Sequence, residues 1–375
     1  GVVPKNKVKK VIFVVSLSAC NGIRHGKRIN NILTKGVDTV YLGGSSVPVK
    51  NQLLELHYIG AGGVLIRKDE QAILVDPFFT FGGSIVGTLF KNSKSDTVAI
   101  RTYFQRAFGK TNDEEGNIKA VLVSHAHYDH IMDVPALWKL KLLNQSQVCF
   151  VGSPTSVHYL RGANIPGNKM QEVIPDSATT HKKVGACISL GQLSNQPRIK
   201  LYPIINQHAP HTRFIGFPIM FFKGKAKKDK WPKKRSRFKE GQNYSYLIDF
   251  LDNQQNISCR VLVQSSCSKP KKGFVPEKLR NEHPIDVALL GVASYKYVKP
   301  YPETLIKYLQ PRHVVMVHWE NFFRKLDQLK KKPQAVPKSD IKKFVKKTDQ
   351  LMKAIHRKGH WTLPQVDTKL IFVLK

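Results

Sequence analysis

The sequence predicts an α/β protein in which two β-sheets pack face to face, with helices on the outside. Three observations point there. Hydrophobic residues make up 41% of the 375 residues, enough for a sizeable core. Short strand-like runs come first in a meander and then alternate with helix-like runs. The layout occurs in two comparable halves, and two half-buried sheets bury their apolar faces most simply against each other.

The elements follow in order. Residues 54–59, 63–67 and 72–76 read as three strands, with Gly60-Ala61-Gly62-Gly63 as a turn. Residues 94–109 have a helical pattern. Residues 118–124 form a strand of the buried kind and run straight into a histidine cluster. Residues 131–143 read as a helix and 148–151 as a strand, after which Ser153-Pro154 opens another helix. In the second half, strands are expected at 199–205, 244–250, 259–263, 285–291 and 313–317. Helices are expected at 302–309, 321–330 and 340–357, and 369–374 closes as a strand.

The N-terminus reads as an address. Lys5, Lys7, Lys9 and Lys10 precede the apolar run 11–17, and Leu17-Ser18-Ala19-Cys20 follows. This resembles a bacterial lipobox. The resemblance implies a lipoprotein signal peptide over 1–19, lipidation of Cys20, a tether over 20–50 and a single domain over 51–375. It places the protein outside the cytoplasm, anchored to a bacterial membrane.

Lys and Arg number 61 against 26 Asp and Glu, a net charge of +35. Removing the four signal lysines leaves 35 − 4 = +31, so the signal is not the source of the basicity. A charge this high points to an anionic partner. No apolar run approaches the ~20 residues of a membrane-spanning helix. Residues 214–222 are strongly apolar, and 223–239 then carry ten Lys/Arg against one acid, Asp229. This stretch, within 213–240, reads as an insertion loop rather than core. An apolar flap beside cations suits an anionic lipid surface, at ~1 kcal/mol per nearby basic residue. Nucleic acid is the competing partner, which the lipobox disfavours.

The chemistry concentrates in Ser124-His125-Ala126-His127-Tyr128-Asp129-His130. Three imidazoles and a carboxylate within six residues are costly to bury without a purpose. Imidazole nitrogen and carboxylate oxygen are the ligands zinc takes. In a tight strand-to-helix loop, His125 and His127 can face one metal while Asp129 and His130 face a second.

The spacing His-x-His-x-Asp-His resembles the signature of the metallo-β-lactamase superfamily, and the resemblance runs from about Leu54 to Phe323. It implies an αββα sandwich with the metals at one edge of the sheets. It assigns Asp76 as a buttress of the metal loop, His208 as the third ligand of the first metal and His318 as the last ligand of the second. The family often bridges its metals with an Asp at a strand end, and here Ser266 stands in that place. The resemblance implies two zinc ions, the second held by Asp129, His130 and His318 and weaker or absent because Ser266 replaces the bridging Asp. Cys267 is a candidate rescue ligand, and His211 is an outer support of the site, a substrate contact or an alternative to His208.

The resemblance further implies a hydrolase that uses a zinc-activated hydroxide on an ester, lactone, amide or phosphodiester bond, with Asp129 orienting the water. The nearest branch resembles sugar-lactonase and N-acyl-phosphatidylethanolamine phospholipase D proteins, so a small molecule or a membrane lipid is the expected substrate. A nuclease and a non-catalytic metal-binding lipoprotein are the alternatives.

Overall fold

Strand side chains alternate between two faces, so the central strands here serve two cores at once. The computed structural model describes residues 29–42, 52–192, 196–210, 213–214, 217–218, 222–337 and 339–374. The expected signal peptide, Cys20 and His211 lie outside the described residues, as does much of the apolar stretch 214–222.

In chain order the first half contains β1 (Val37–Tyr41), β2 (Leu53–Gly60), β3 (Gly63–Lys68) and β4 (Gln71–Val75). Helices α1 (Ile85–Phe90) and α2 (Thr97–Phe108) precede β5 (Ile118–Leu122). Then come α3 (Tyr128–Ile131), α4 (Val134–Lys139), β6 (Cys149–Gly152), α5 (Pro154–Gly162) and β7 (Met170–Glu172). The second half contains β8 (Ile188–Leu190), β9 (Ile199–Asn206), the small pair β10 (Arg213–Phe214) and β11 (Phe217–Pro218), β12 (Asn243–Leu251) and β13 (Ile257–Gln264). It continues with α6 (Glu277–Glu282), β14 (Val287–Gly291), α7 (Glu303–Leu309), β15 (His313–Val317), α8 (Leu326–Lys331), α9 (Ile341–Ala354), β16 (Trp361–Thr362) and β17 (Thr368–Val373).

The strands form one sheet in the order β1-β17-β2-β3-β4-β5-β6-β7 and a second in the order β16-β15-β14-β13-β12-β9-β8. Leu54, Leu56 and Tyr58 of β2 and Ile73 and Val75 of β4 share one buried cluster with Tyr244, Tyr246 and Ile248 of β12. The alternate residues point the other way. Ala72 and Leu74 pack with Phe104, Leu137 and Leu160 of the helices on one side. Leu247 and Leu262 pack with Leu305, Phe344 and Met352 on the other. The layers are therefore helix, sheet, sheet, helix, as expected.

Pairing directions put the site at one edge. β4, β5 and β6 run parallel, and β2 runs the same way because two antiparallel steps separate it from β4. β13, β14 and β15 are mutually parallel, and β9 joins them across the antiparallel β12. The carboxyl ends of β4 and β5 and those of β9, β13 and β15 are where the chain leaves each sheet for the candidate residues.

Several expectations need correction. Residues 37–41, assigned to a tether, form β1 and pair in parallel with β17. Their side chains are mostly exposed, so no apolar alternation announces the strand and backbone pairing alone makes it. The helix expected over 131–143 is two short ones, because Asp133 turns back to accept hydrogen bonds from Phe79 N, Thr80 N and Thr80 Oγ1 and Pro135 opens α4. The helix expected from 321 begins only at Leu326.

The basic run is anchored rather than a simple loop. Phe238 is fully buried and Trp231 packs against it at 5.1 Å between ring centroids. Arg235 is buried, donates to Thr80 O and Gly82 O, and lies over the Tyr128 ring. Two carbonyls and a ring face offset the loss of water around that cation.

Cys149, Cys187, Cys259 and Cys267 are free thiols. Among the described residues, no helix is long and apolar enough to cross a membrane.

Candidate metal centre

Two donor groups form at the shared sheet edge. His125, His127 and His208 make the first, and Asp129, His130 and His318 make the second. Within each group the ligand atoms lie within 4.8 Å of one another. His125 and His130 pack ring to ring at 4.0 Å, so the groups are adjacent.

The local sequence explains the placement. β5 ends at Leu122, and Val123 still bonds to Val151 O before the chain turns. Ala126 N donates to Glu240 O, and Tyr244 N donates to Ser124 O, so the loop is pinned to the segment entering β12. His127 keeps extended backbone as the residue before α3, and the helix then lifts Asp129 and His130 onto its first turn. Tyr128 is a core anchor, edge-on to Phe78. His208 follows β9, where Asn206 bonds to Gln207 N and Ser266 O. His318 follows β15 directly.

Asp76, at the end of β4, gathers the loop. Its Oδ1 accepts Ser124 N at 2.7 Å. Its Oδ2 accepts Ser124 Oγ at 2.6 Å and Ser265 Oγ at 2.7 Å, and faces His130 Nδ1 at 3.0 Å. The sequence places Asp76 as a buttress but gives no sign of the two serines as its partners. Only their position beside the loop and at the end of β13 brings them to it.

Each histidine of the first group has one ring nitrogen engaged outward. His125 Nδ1 donates to Ser124 Oγ at 3.1 Å, because that hydroxyl spends its own proton on Asp76. His127 Nε2 donates to Phe222 O at 3.3 Å, and His208 Nδ1 donates to Ala209 O at 2.6 Å. These bonds leave His125 Nε2, His127 Nδ1 and His208 Nε2 as inward acceptors, the arrangement that orients metal-binding imidazoles.

The donor set fits zinc. Tetrahedral ligands at zinc bond lengths stand about 3.3 Å apart. His125 Nε2 and His127 Nδ1 are 3.0 Å apart. Asp129 Oδ2 is 3.6 Å from His130 Nε2 and 3.5 Å from His318 Nε2. Burial, with neighbouring imidazoles, pushes the His125 pKa well down and keeps the ring in its neutral, ligating form. Burial raises the Asp129 pKa, but His130 and His318 outweigh it and hold the carboxyl ionised. For His130, burial disfavours the charge and Asp76 and Asp129 favour it, for a net upward shift.

Ser266 and Cys267 stand outside both donor groups, as do several other histidines and Trp319. Ser266 Oγ accepts Ala209 N at 3.3 Å, so this hydroxyl braces the His208 segment. The Cys267 thiol donates to Ala293 O, burial pushes its pKa up to about 12, and it stands outside both donor groups. Trp319 is buried with Nε1 donating to Pro364 O. His57, His158, His283 and His313 bond to Asp367, Asp229, Asp286 and Thr362, away from the site.

Residues 71–249 match the family model described as beta-lactamase superfamily domain, a span holding Asp76, the whole histidine loop and His208. Residues 71–249 form a beta-lactamase superfamily domain, the family that the histidine loop resembles. Its activity is that of a metal-dependent hydrolase. No curated protein matches the chain.

Among solved structures, the chain is similar to Igni18, a metallo hydrolase from the archaeon Ignicoccus hospitalis, at 14% identity and a TM-score of 0.46 over 86% of this chain and 100% of that one. An isothiocyanate hydrolase from Delia radicum gut bacteria matches at 10% identity and a TM-score of 0.42, over 84% of this chain and 98% of that one. CmlA, a diiron β-hydroxylase from Streptomyces venezuelae, matches at 13% identity and a TM-score of 0.43, over 86% of this chain and 54% of that one. None is close enough to carry a substrate across.

Proposed function

We propose that the protein is a zinc hydrolase with two metal positions, cleaving an ester, lactone, amide or phosphodiester bond in a substrate that has an apolar part. The observation that carries this reading is the pair of adjacent donor groups, His125-His127-His208 and Asp129-His130-His318. Zinc held there supplies Lewis-acid activation of water and of the scissile oxygen.

The chain's own residues supply the rest. Asp129 orients the attacking water through its carboxylate. Ser124, Phe222 O and Ala209 O hold the first three imidazoles in the ligating tautomer. Phe222 lies 5.4 Å from the His127 ring and Phe322 lies 5.3 Å from the His318 ring, and both are half-buried. One apolar wall therefore flanks each donor group, which suits an acyl or alkyl moiety.

A phospholipase D-like reaction on a membrane lipid is the reading we favour within that class. Every lysine from 223 to 234 is exposed, beginning immediately after Phe222. Those cations would hold the edge of the site against an anionic membrane, and lipidation at Cys20 would tether it there.

The test is metal analysis of the purified protein with a panel of ester, lactone, amide, lipid phosphodiester and oligonucleotide substrates. Activity on a lipid phosphodiester that disappears in His125→Ala and His318→Ala supports the reading. Cleavage of oligonucleotides alone would make the protein a nuclease, and full metal content without turnover would make it a binding protein.

A further inference from the structure

His318 is held differently from the other histidines of the centre. It leaves β15 with φ of +54°, in the left-handed region that a side chain other than glycine rarely adopts. Its Nδ1 is buried and has no hydrogen-bond partner. The three imidazoles of the first group are each oriented through an outward ring nitrogen, and His318 has no such bond. Its orientation rests on packing against Phe322 and His130 and on the backbone that carries it.

The backbone is gripped. His318 N–H donates to Tyr58 Oη at 2.8 Å. Tyr58 sits on β2 in the opposite sheet and is 1% exposed. Because that oxygen accepts from an amide that can only donate, its own proton goes to Glu320 Oε2, at 2.6 Å. The other carboxylate oxygen, Oε1, accepts Ala61 N–H in the β2–β3 turn, and Ala61 is itself at φ of +49°. Glu320 is 1% exposed, so this buried acid is satisfied from both sides by the first sheet.

The turn has no room to move away. A Cβ on Gly60 would come within 2.8 Å of Phe81 and 3.2 Å of Glu320 Oε1. One on Gly62 would come within 3.2 Å of Ser265 Cβ. A close-packed turn, a phenol and a carboxylate thus fix one amide across the gap between the sheets.

We propose that Tyr58 and Glu320 are positioning residues for the second donor group, locking the His318 backbone so that its ring meets Asp129. The inference rests on reading Asp129, His130 and His318 as a metal site. It predicts that the two metal positions can be uncoupled by changing residues that touch neither metal.

The experiment titrates the full chain with Co2+ and follows the visible absorption of each bound ion. Wild type takes up two ions, and His318→Ala loses the second. Tyr58→Phe is expected to keep the first affinity and weaken the second by about 10–100-fold, the usual cost of losing an outer support. Glu320→Gln, which keeps shape and one acceptor, should shift in the same direction by less. A merely structural role would lower thermal stability without separating the two affinities. The proposal is overturned if Tyr58→Phe binds the second ion like wild type, or if both affinities fall together. Should Tyr58→Phe not fold, Glu320→Gln carries the same test, and an unchanged second affinity overturns the latch. If His318→Ala still takes up two ions, the metal-site reading itself fails and the latch goes with it.

Discussion

Asp76 Oδ2 and His130 Nδ1 face each other at 3.0 Å, both fully buried, at the point where β4 ends beneath the histidine loop. The same oxygen accepts the hydroxyls of Ser124 and Ser265. One carboxylate therefore ties the metal loop to both sheets. Asp76 has φ of +44°, which asparagine also tolerates, so Asp76→Asn tests the charge with little change in backbone preference. Breaking a buried ion pair costs about 3 kcal/mol. Urea denaturation of the metal-free variant should show a loss of that order, and metal analysis should show a lower content after dialysis. Wild-type values for both would remove Asp76 from its role as hub.

Gly62 tests the same hub from the other side. It has φ of +82° and its missing Cβ would press on Ser265. Gly62→Ala should lose about 1–3 kcal/mol to backbone strain. Displacing Ser265 also removes a donor to Asp76, so zinc should dissociate faster from this variant. Unchanged dissociation alongside lowered stability would show that Ser265 contributes nothing to holding metal.

His313 gives a pH dependence unrelated to the metals. Burial first, and then the charge of His360, pushes its pKa down to about 3, while Nε2 bonds to Thr362 Oγ1. Between pH 6.5 and 3 the unfolded chain takes up a proton that the folded chain refuses. Stability is therefore full above 6.5 and falls on acidification, by about 1.4 kcal/mol per pH unit from this one group. Denaturation of His313→Gln at pH 7, 6 and 5 should show a shallower fall by that amount per unit. Parallel curves would mean that the imidazole titrates normally in the folded state.

The exposed lysines next to Phe222 should govern membrane association. Replacing Lys223, Lys225, Lys227 and Lys228 together with glutamine should weaken sedimentation with phosphatidylglycerol vesicles by about 1 kcal/mol per charge. Binding to neutral phosphatidylcholine vesicles should not change, and high salt should erase the difference. Equal binding of variant and wild type to the anionic vesicles would separate the basic run from any lipid role.

The histidine loop was legible because its residues are neighbours in the chain and their chemistry is costly to bury. Asp76, His208 and His318 were legible only through resemblance, since nothing local distinguishes His208 or His318 from His313. Tyr58 and Glu320 were overlooked, although a buried-type acid two residues after a candidate ligand could have raised the question. The strand at 37–41 was missed because exposed side chains leave no alternation to read. The inward turn of Arg235 is not legible in the basic run, because charge density along the chain does not say which single cation is buried.

Local sequence carries the alternation that makes two sheets and the histidine loop at the end of a buried strand. Both are local, since period and residue type act over a few positions. Packing of the two sheets settles which oxygens hold the imidazoles, that Ser265 serves Asp76, and that the His318 amide meets a tyrosine of the other sheet. Those contacts join residues as many as 260 positions apart, and a chain fixes them only when both sheets have closed over one core.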